Sequence, residues 1–169
     1  MGAARMQQGA PPRWAAPKPD LTFDSRDHPA IMTGTGMLLM LCTPTICNVP
    51  VTRTLIDGSA GLNILFVEAF GLLHVPYGRL LPTKPFSGVV DGSTYPLGQI
   101  RLLVTFGTCD NYRTELIDFD IACISLPYNA ILGYPALAKF SAATHPAYNL
   151  MKTPGAVASS LWPVTPKKP

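Results

Sequence analysis

The chain has 169 residues, room for one ordinary domain and too few for two comfortable ones. Apolar residues make up 47%, too many for a charged, disordered chain, while charged residues reach only 14% against roughly 25% in an average domain, and 18 prolines interrupt the sequence, so long solvated helices and coiled coils are excluded. The net charge of +3 does not argue for nucleic acid: residues 1–20 carry +2 and residues 150–169 carry +3, which leaves the 129 residues between them at −2, with no basic face for phosphates.

In chain order, residues 1–20 hold four prolines among small residues and glutamines and read as a flexible leader. From there, short apolar runs alternate with turn signals at roughly ten-residue intervals, the mark of a mainly β domain. Strands are predicted over 36–42, 46–51, 53–56, 84–90, 93–105, 113–121 and 130–132. Asp91-Gly92 lies between two of them and signals a hairpin. Ile100, Leu102, Val104 and Phe106 alternate onto one face of their strand. Asp118 and Asp120 share one face of the next and read as solvated.

One segment has helical period: Ile64, Leu65, Glu68, Ala69, Leu72 and Leu73, with Asn63 as its cap and Gly71 near its end. A second short helix is predicted over 135–140, with Pro135 at its first position. Residues 155–169, with Pro163, Pro166 and a closing Lys-Lys-Pro, read as a tail, so the folded domain is expected over 21–154.

Cys42, Cys47, Cys109 and Cys123 form no CxxC pair and fit no common zinc spacing; they read as buried free thiols, with no metal or cofactor expected. No hydrophobic run approaches the ~18–20 residues that span a bilayer. With no signal-peptide core either, the expectation is an intracellular, cytoplasmic protein that engages neither membrane nor nucleic acid.

The segment that can carry chemistry is Leu55-Ile56-Asp57-Gly58-Ser59-Ala60. An acid ends an apolar strand and small residues follow at once, so the backbone can turn sharply and bring its N–H groups to the carboxylate. Burying that acid without use would cost free energy. Taken alone, the hexapeptide also fits an Asp that merely closes a strand-to-helix turn.

Leu55-Ile56-Asp57-Gly58-Ser59 with Ile64-Leu65-Phe66 resembles the active-site segment of retropepsin-like aspartic proteases, above all those of plant gypsy-class LTR retrotransposon polyproteins. Leu21-Thr22-Phe23 with Arg26-Asp27-His28-Pro29 looks like the entry segment of that family. Tyr95-Pro96-Leu97-Gly98 and Val104-Thr105-Phe106-Gly107 look like the strands after its flap. Tyr128-Asn129-Ala130-Ile131-Leu132-Gly133 and Pro135-Ala136-Leu137-Ala138-Lys139-Phe140 look like its C-terminal half. Two loop positions depart from the pattern: Gly58 stands where the broad family carries a hydroxyl that ties two subunits together, and Ser59 where it carries glycine. The branch then has two serines and an acid where this chain has Ala60, Gly61 and Asn63.

The resemblance implies a closed, barrel-like β domain with two short helices, a single-lobe subunit supplying one catalytic residue, Asp57, through the loop Gly58, Ser59 and Ala60. It implies a homodimer whose paired carboxyls share one proton and cleave a peptide or polyprotein without a cofactor. Gly88, Asp91 and Gly92 would form the flap over the substrate, and Ile131, Leu132 and Gly133 would support the loop. The alternative reading is an inactive, protease-like dimerisation or binding module.

Overall fold

A computed structural model describes residues 20–28, 39–154 and, for the backbone alone, 159–163. Most of the expected leader lies outside these residues. The described residues form an eight-stranded sheet in the order β1-β4-β10-β5-β9-β8-β2-β3. Its strands are β1 (Leu41–Cys42), β2 (Thr45–Ile46), β3 (Val49–Pro50), β4 (Thr54–Asp57), β5 (Ile64–Phe66), β8 (Gly98–Gly107), β9 (Tyr112–Ala122) and β10 (Ala130–Gly133). A two-stranded hairpin, β6 (Phe86–Ser87) with β7 (Ser93–Thr94), stands apart. So does a three-stranded sheet of β11 (Ala143–His145), β12 (Leu150–Pro154) and β13 (Ser159–Pro163). The helices are α1 (Val67–Leu72) and α2 (Tyr134–Phe140).

The mainly β architecture with two short helices is the one expected from sequence. The sheet order is linear, ending on β1 and β3, so the closed barrel is not formed among the described residues. Regular structure also extends past residue 154, because β13 runs antiparallel to β12 from Leu150↔Pro163 to Pro154↔Ser159, inside the predicted tail.

The long hairpin β8–β9 anchors the core. Ile100, Leu102, Val104 and Phe106 point inward from β8, and Ile117, Phe119 and Ile121 from β9, none more than 5% exposed. Phe106 meets Phe140 of α2 edge-on at 5.0 Å. Arg113 on β9 donates to the Lys139 and Phe140 carbonyls at 2.8 Å, satisfying acceptors at the end of that helix, where Ser141 takes the left-handed turn.

Several boundaries differ from the sequence reading for identifiable reasons. The predicted strand 46–51 is a tight hairpin: Ile46 pairs with Val49, and Cys47 and Asn48 both have positive φ, a two-residue turn without the usual glycine. The run 93–105 breaks after Thr94 and resumes at Gly98, across Pro96, which has no N–H to give a ladder. The predicted helix from Ile64 begins only at Val67; Ile64-Leu65-Phe66 is a strand, fully enclosed between β10 and β9. A short apolar run fits either element, and here the sheet claims it. Asp120 is 6% exposed and accepts a hydrogen bond from Thr83 at 2.8 Å, because residues 81–83 cross over its end of β9; only Asp118, paired with Arg101, is solvated. Cys42 alone is a buried thiol, whereas Cys109 and Cys123 follow long strands into exposed loops.

Candidate active site

Asp57 is the last residue of β4, and it pairs in register with Gly133, the last residue of the parallel strand β10. The chain leaves β4 through residues 58–62 and returns as β5 on the far side of β10. The loop therefore straddles the end of β10, with Ile131, Leu132 and Gly133 beneath it. A Cβ at Gly133 would overlap the carbonyl oxygens of Ala60 and Leu62, so only glycine allows this approach. Tyr134 N–H donates to the Ala60 carbonyl at 2.9 Å, pinning the loop from below.

Asn63 closes the other end of the loop. Expected as a helix cap, it is instead 4% exposed and bridges two strands. Its Oδ1 accepts from Gly133 N–H at 2.9 Å, and its Nδ2 donates to the Asp118 carbonyl at 3.0 Å. A buried side-chain amide with both ends satisfied is a rigid fixture.

At the loop's head, the Asp57 carboxylate is half-buried and faces a cleft. Its Oδ1 accepts two hydrogen bonds from Ser59, one from the backbone N–H at 3.0 Å and one from the hydroxyl at 2.6 Å. Ala60 N–H closes the turn on the Asp57 carbonyl at 3.1 Å. Gly58 is exposed, and a Cβ there would meet only Leu137 at 3.6 Å.

The cleft has a volume of about 420 Å³. Asp57, Ser59, Ala60 and Gly61 form one wall; Ser87, Gly88 and Val89 of the β6–β7 hairpin form another; Leu55, Leu62, Leu126, Tyr128 and Ile131 make the rest apolar. The hairpin loop spans residues 88–92, and Gly88 (φ 95°) and Gly92 (φ 80°) hold the left-handed conformations at its two ends. Gly88 reaches the cleft, while Asp91 and Gly92 are exposed and do not line it. Of the predicted support residues, Ile131 also lines the cleft, and Leu132 and Gly133 do not. The sequence reading missed Leu126 and Tyr128 as cleft residues; the alternation of Ile124, Leu126 and Tyr128 in the segment after β9 was the available signal.

No helix among the described residues is long and apolar enough to cross a membrane. No family model matches the sequence. No curated protein matches it either. Among solved structures, the chain is similar to the retroviral protease-like domain of Ddi1 from Leishmania major, with a TM-score of 0.56 and 14% identity over 78% of this chain and 97% of that one. It is similar also to a retropepsin-like aspartic protease from Rickettsia conorii (TM-score 0.48, 17% identity, 64% of this chain and 82% of that one). A third is the EIAV protease complexed with the inhibitor HBY-793 (TM-score 0.49, 20% identity, 67% and 98%). At these identities the likeness is one of fold, and the fold is retropepsin-like.

Proposed function

We propose that this chain is one subunit of a retrotransposon-type aspartic endopeptidase of the gypsy class, which cleaves peptide bonds of a polyprotein. The observation that carries the reading is the Asp57 carboxylate, held at a strand end by its own loop and facing a cleft walled by a glycine-ended hairpin. The likeness of fold to the retroviral protease-like domain of Ddi1 lends support.

Each chain supplies one such carboxylate, so the chemistry requires two chains about a two-fold axis. Two carboxyls about 3 Å apart do not both ionise, and the pair keeps one proton between them. The ionised member takes a proton from a bound water as that water attacks the scissile carbonyl, and the protonated member donates to the carbonyl oxygen. The resulting diol collapses as the carboxyl that took the water's proton passes it to the amide nitrogen, the C–N bond breaks, and the other carboxylate takes the proton of a diol hydroxyl, which leaves one proton on the pair. The hairpin over residues 88–92 acts as the flap: it closes on the extended peptide and excludes water. Ile131, Leu132 and Gly133 hold the loop that carries Asp57.

A second reading is a dimerisation or binding module without activity. The hydroxyl missing at Gly58, in the loop that must hold the dyad, favours it. Cleavage of a peptide library at pH 4–6, scored by mass spectrometry, separates the two. The protease reading expects cleavage by the wild type and none by Asp57→Asn. No cleavage by a wild-type protein that sediments as a dimer favours the second.

A further inference from the structure

We propose that the Ser59 hydroxyl is a positioning residue for Asp57, one that divides the labour between the two carboxylate oxygens; the inference rests on Asp57 being the catalytic acid. Ser59 donates twice to the same atom, through its N–H at 3.0 Å and through its Oγ–H at 2.6 Å, and both bonds fall on Oδ1. Among the described residues, Oδ2 receives no hydrogen bond. A carboxylate rotates readily about its last torsion, which has a broad, roughly two-fold profile. One backbone donor fixes a point on the group. A second donor on the same oxygen, from a side chain, holds that point more firmly and so resists rotation of the group.

The serine sits at this position without backbone strain, since the residues of positive φ among those described do not include it. The small loop it joins leaves its hydroxyl no other partner among the described residues. A short hydrogen bond to an ionised oxygen is stronger than one between neutral groups. The consequence is an assignment of roles. Oδ1 is saturated by its own loop, and Oδ2 is the oxygen left for water, the substrate carbonyl or the facing carboxyl. A glycine at this place would supply the N–H and nothing more, so the loop of this chain makes by a side chain a constraint that a glycine loop must obtain elsewhere.

Two measurements test this. In the first, kcat and KM are read for the wild type, Ser59→Ala, Ser59→Gly and Ser59→Thr, with urea midpoints alongside. The expected result is a fall in kcat of about tenfold for the alanine and glycine variants, with KM within about twofold, and recovery of most of kcat by threonine, the size expected for one hydrogen bond to a charged group. Full kcat in Ser59→Ala, or a loss in Ser59→Thr as deep as in Ser59→Ala, overturns the inference. A loss that follows the urea midpoint also overturns it, because a folding role would produce that. In the second, crystal structures of the wild type and Ser59→Ala compare the Asp57 carboxylate. The expected result is one orientation in the wild type and a turned or divided carboxylate in the variant; an unchanged orientation overturns the inference. This second measurement needs no turnover. A wild type that cleaves no peptide therefore rejects the protease reading, while the carboxylate geometry still decides the role of Ser59.

Discussion

Gly133 donates its backbone N–H to Oδ1 of Asn63 at 2.9 Å, across a gap of 70 residues in sequence. The bond joins the end of β10 to the start of β5, the two points between which the Asp57 loop passes. The same amide reaches the Asp118 carbonyl of β9, so three strands meet on one side chain. Replacing Asn63 with alanine would leave the buried Gly133 N–H without its partner and take a donor from the part-buried Asp118 carbonyl. We expect Asn63→Ala to lower stability by about 2 kcal/mol, read from urea unfolding, with a larger proportional loss of any cleavage activity because the loop above is freed.

Gly133 itself admits no side chain. A Cβ would be driven into the Ala60 and Leu62 carbonyl oxygens, which are backbone atoms of the loop and cannot swing aside. Gly133→Ala is expected to cost about 3 kcal/mol, at the upper end of ordinary overpacking, and to displace Asp57. Denaturant unfolding reads the first effect, and a variant that folds with wild-type stability would contradict the close packing.

Gly58 presents the opposite case. It is exposed, its φ is not in the left-handed region, and a Cβ would rest at ordinary contact distance from Leu137. Gly58→Thr is therefore expected to fold as the wild type does. If two loops face each other in a dimer, as proposed, the new hydroxyl can bond across the axis, and sedimentation should show dissociation weakened by about tenfold, the worth of one hydrogen bond.

Acid should loosen the entry segment before it unfolds the core. Lys152 on β12 donates to Asp27 and to the Thr22 carbonyl, both at 2.7 Å, and the two charged side chains are only 10% and 8% exposed. The Asp27 carboxyl is held below its ordinary value, first by the Lys152 hydrogen bond and then by the Asp24 backbone N–H. A folded value below the unfolded one means stabilisation that is present above the ordinary carboxylate pKa, near 3.9, and is lost as pH falls through the folded value. Hydrogen exchange should show residues 20–28 losing protection below about pH 4, with that step absent in Asp27→Asn, whose protection is low throughout.

The sequence made the strands legible where they alternate over length: β9 matches its expected bounds closely and β8 matches at its far end, because each has one core face and one outer face, whereas the start of β8 was set too early, across Pro96. Asp57 at a strand end, with small residues after it, was legible for the same local reason. What the sequence hid is tertiary. Ile64-Leu65-Phe66 carries no period of its own, and only its place between β10 and β9 makes it a strand. Asn63 looked like a cap because capping is what asparagine does locally; its bonds to Gly133 and Asp118 depend on partners 70 and 55 residues away. Leu126 and Tyr128 enter the cleft from a loop whose path no local pattern specifies. Ser59, one of the loop residues that depart from the resembled family, is the one whose hydroxyl reaches the acid.

The central claim is that two copies of Asp57, one from each of two chains, make a single catalytic centre. Mixing wild type with Asp57→Asn at constant total concentration, after dissociation and reassociation, tests it through the rate of peptide cleavage. The expected rate falls as the square of the wild-type fraction, since every mixed dimer is inactive. A rate that falls in simple proportion to that fraction, or a wild type with no cleavage to lose, would contradict it.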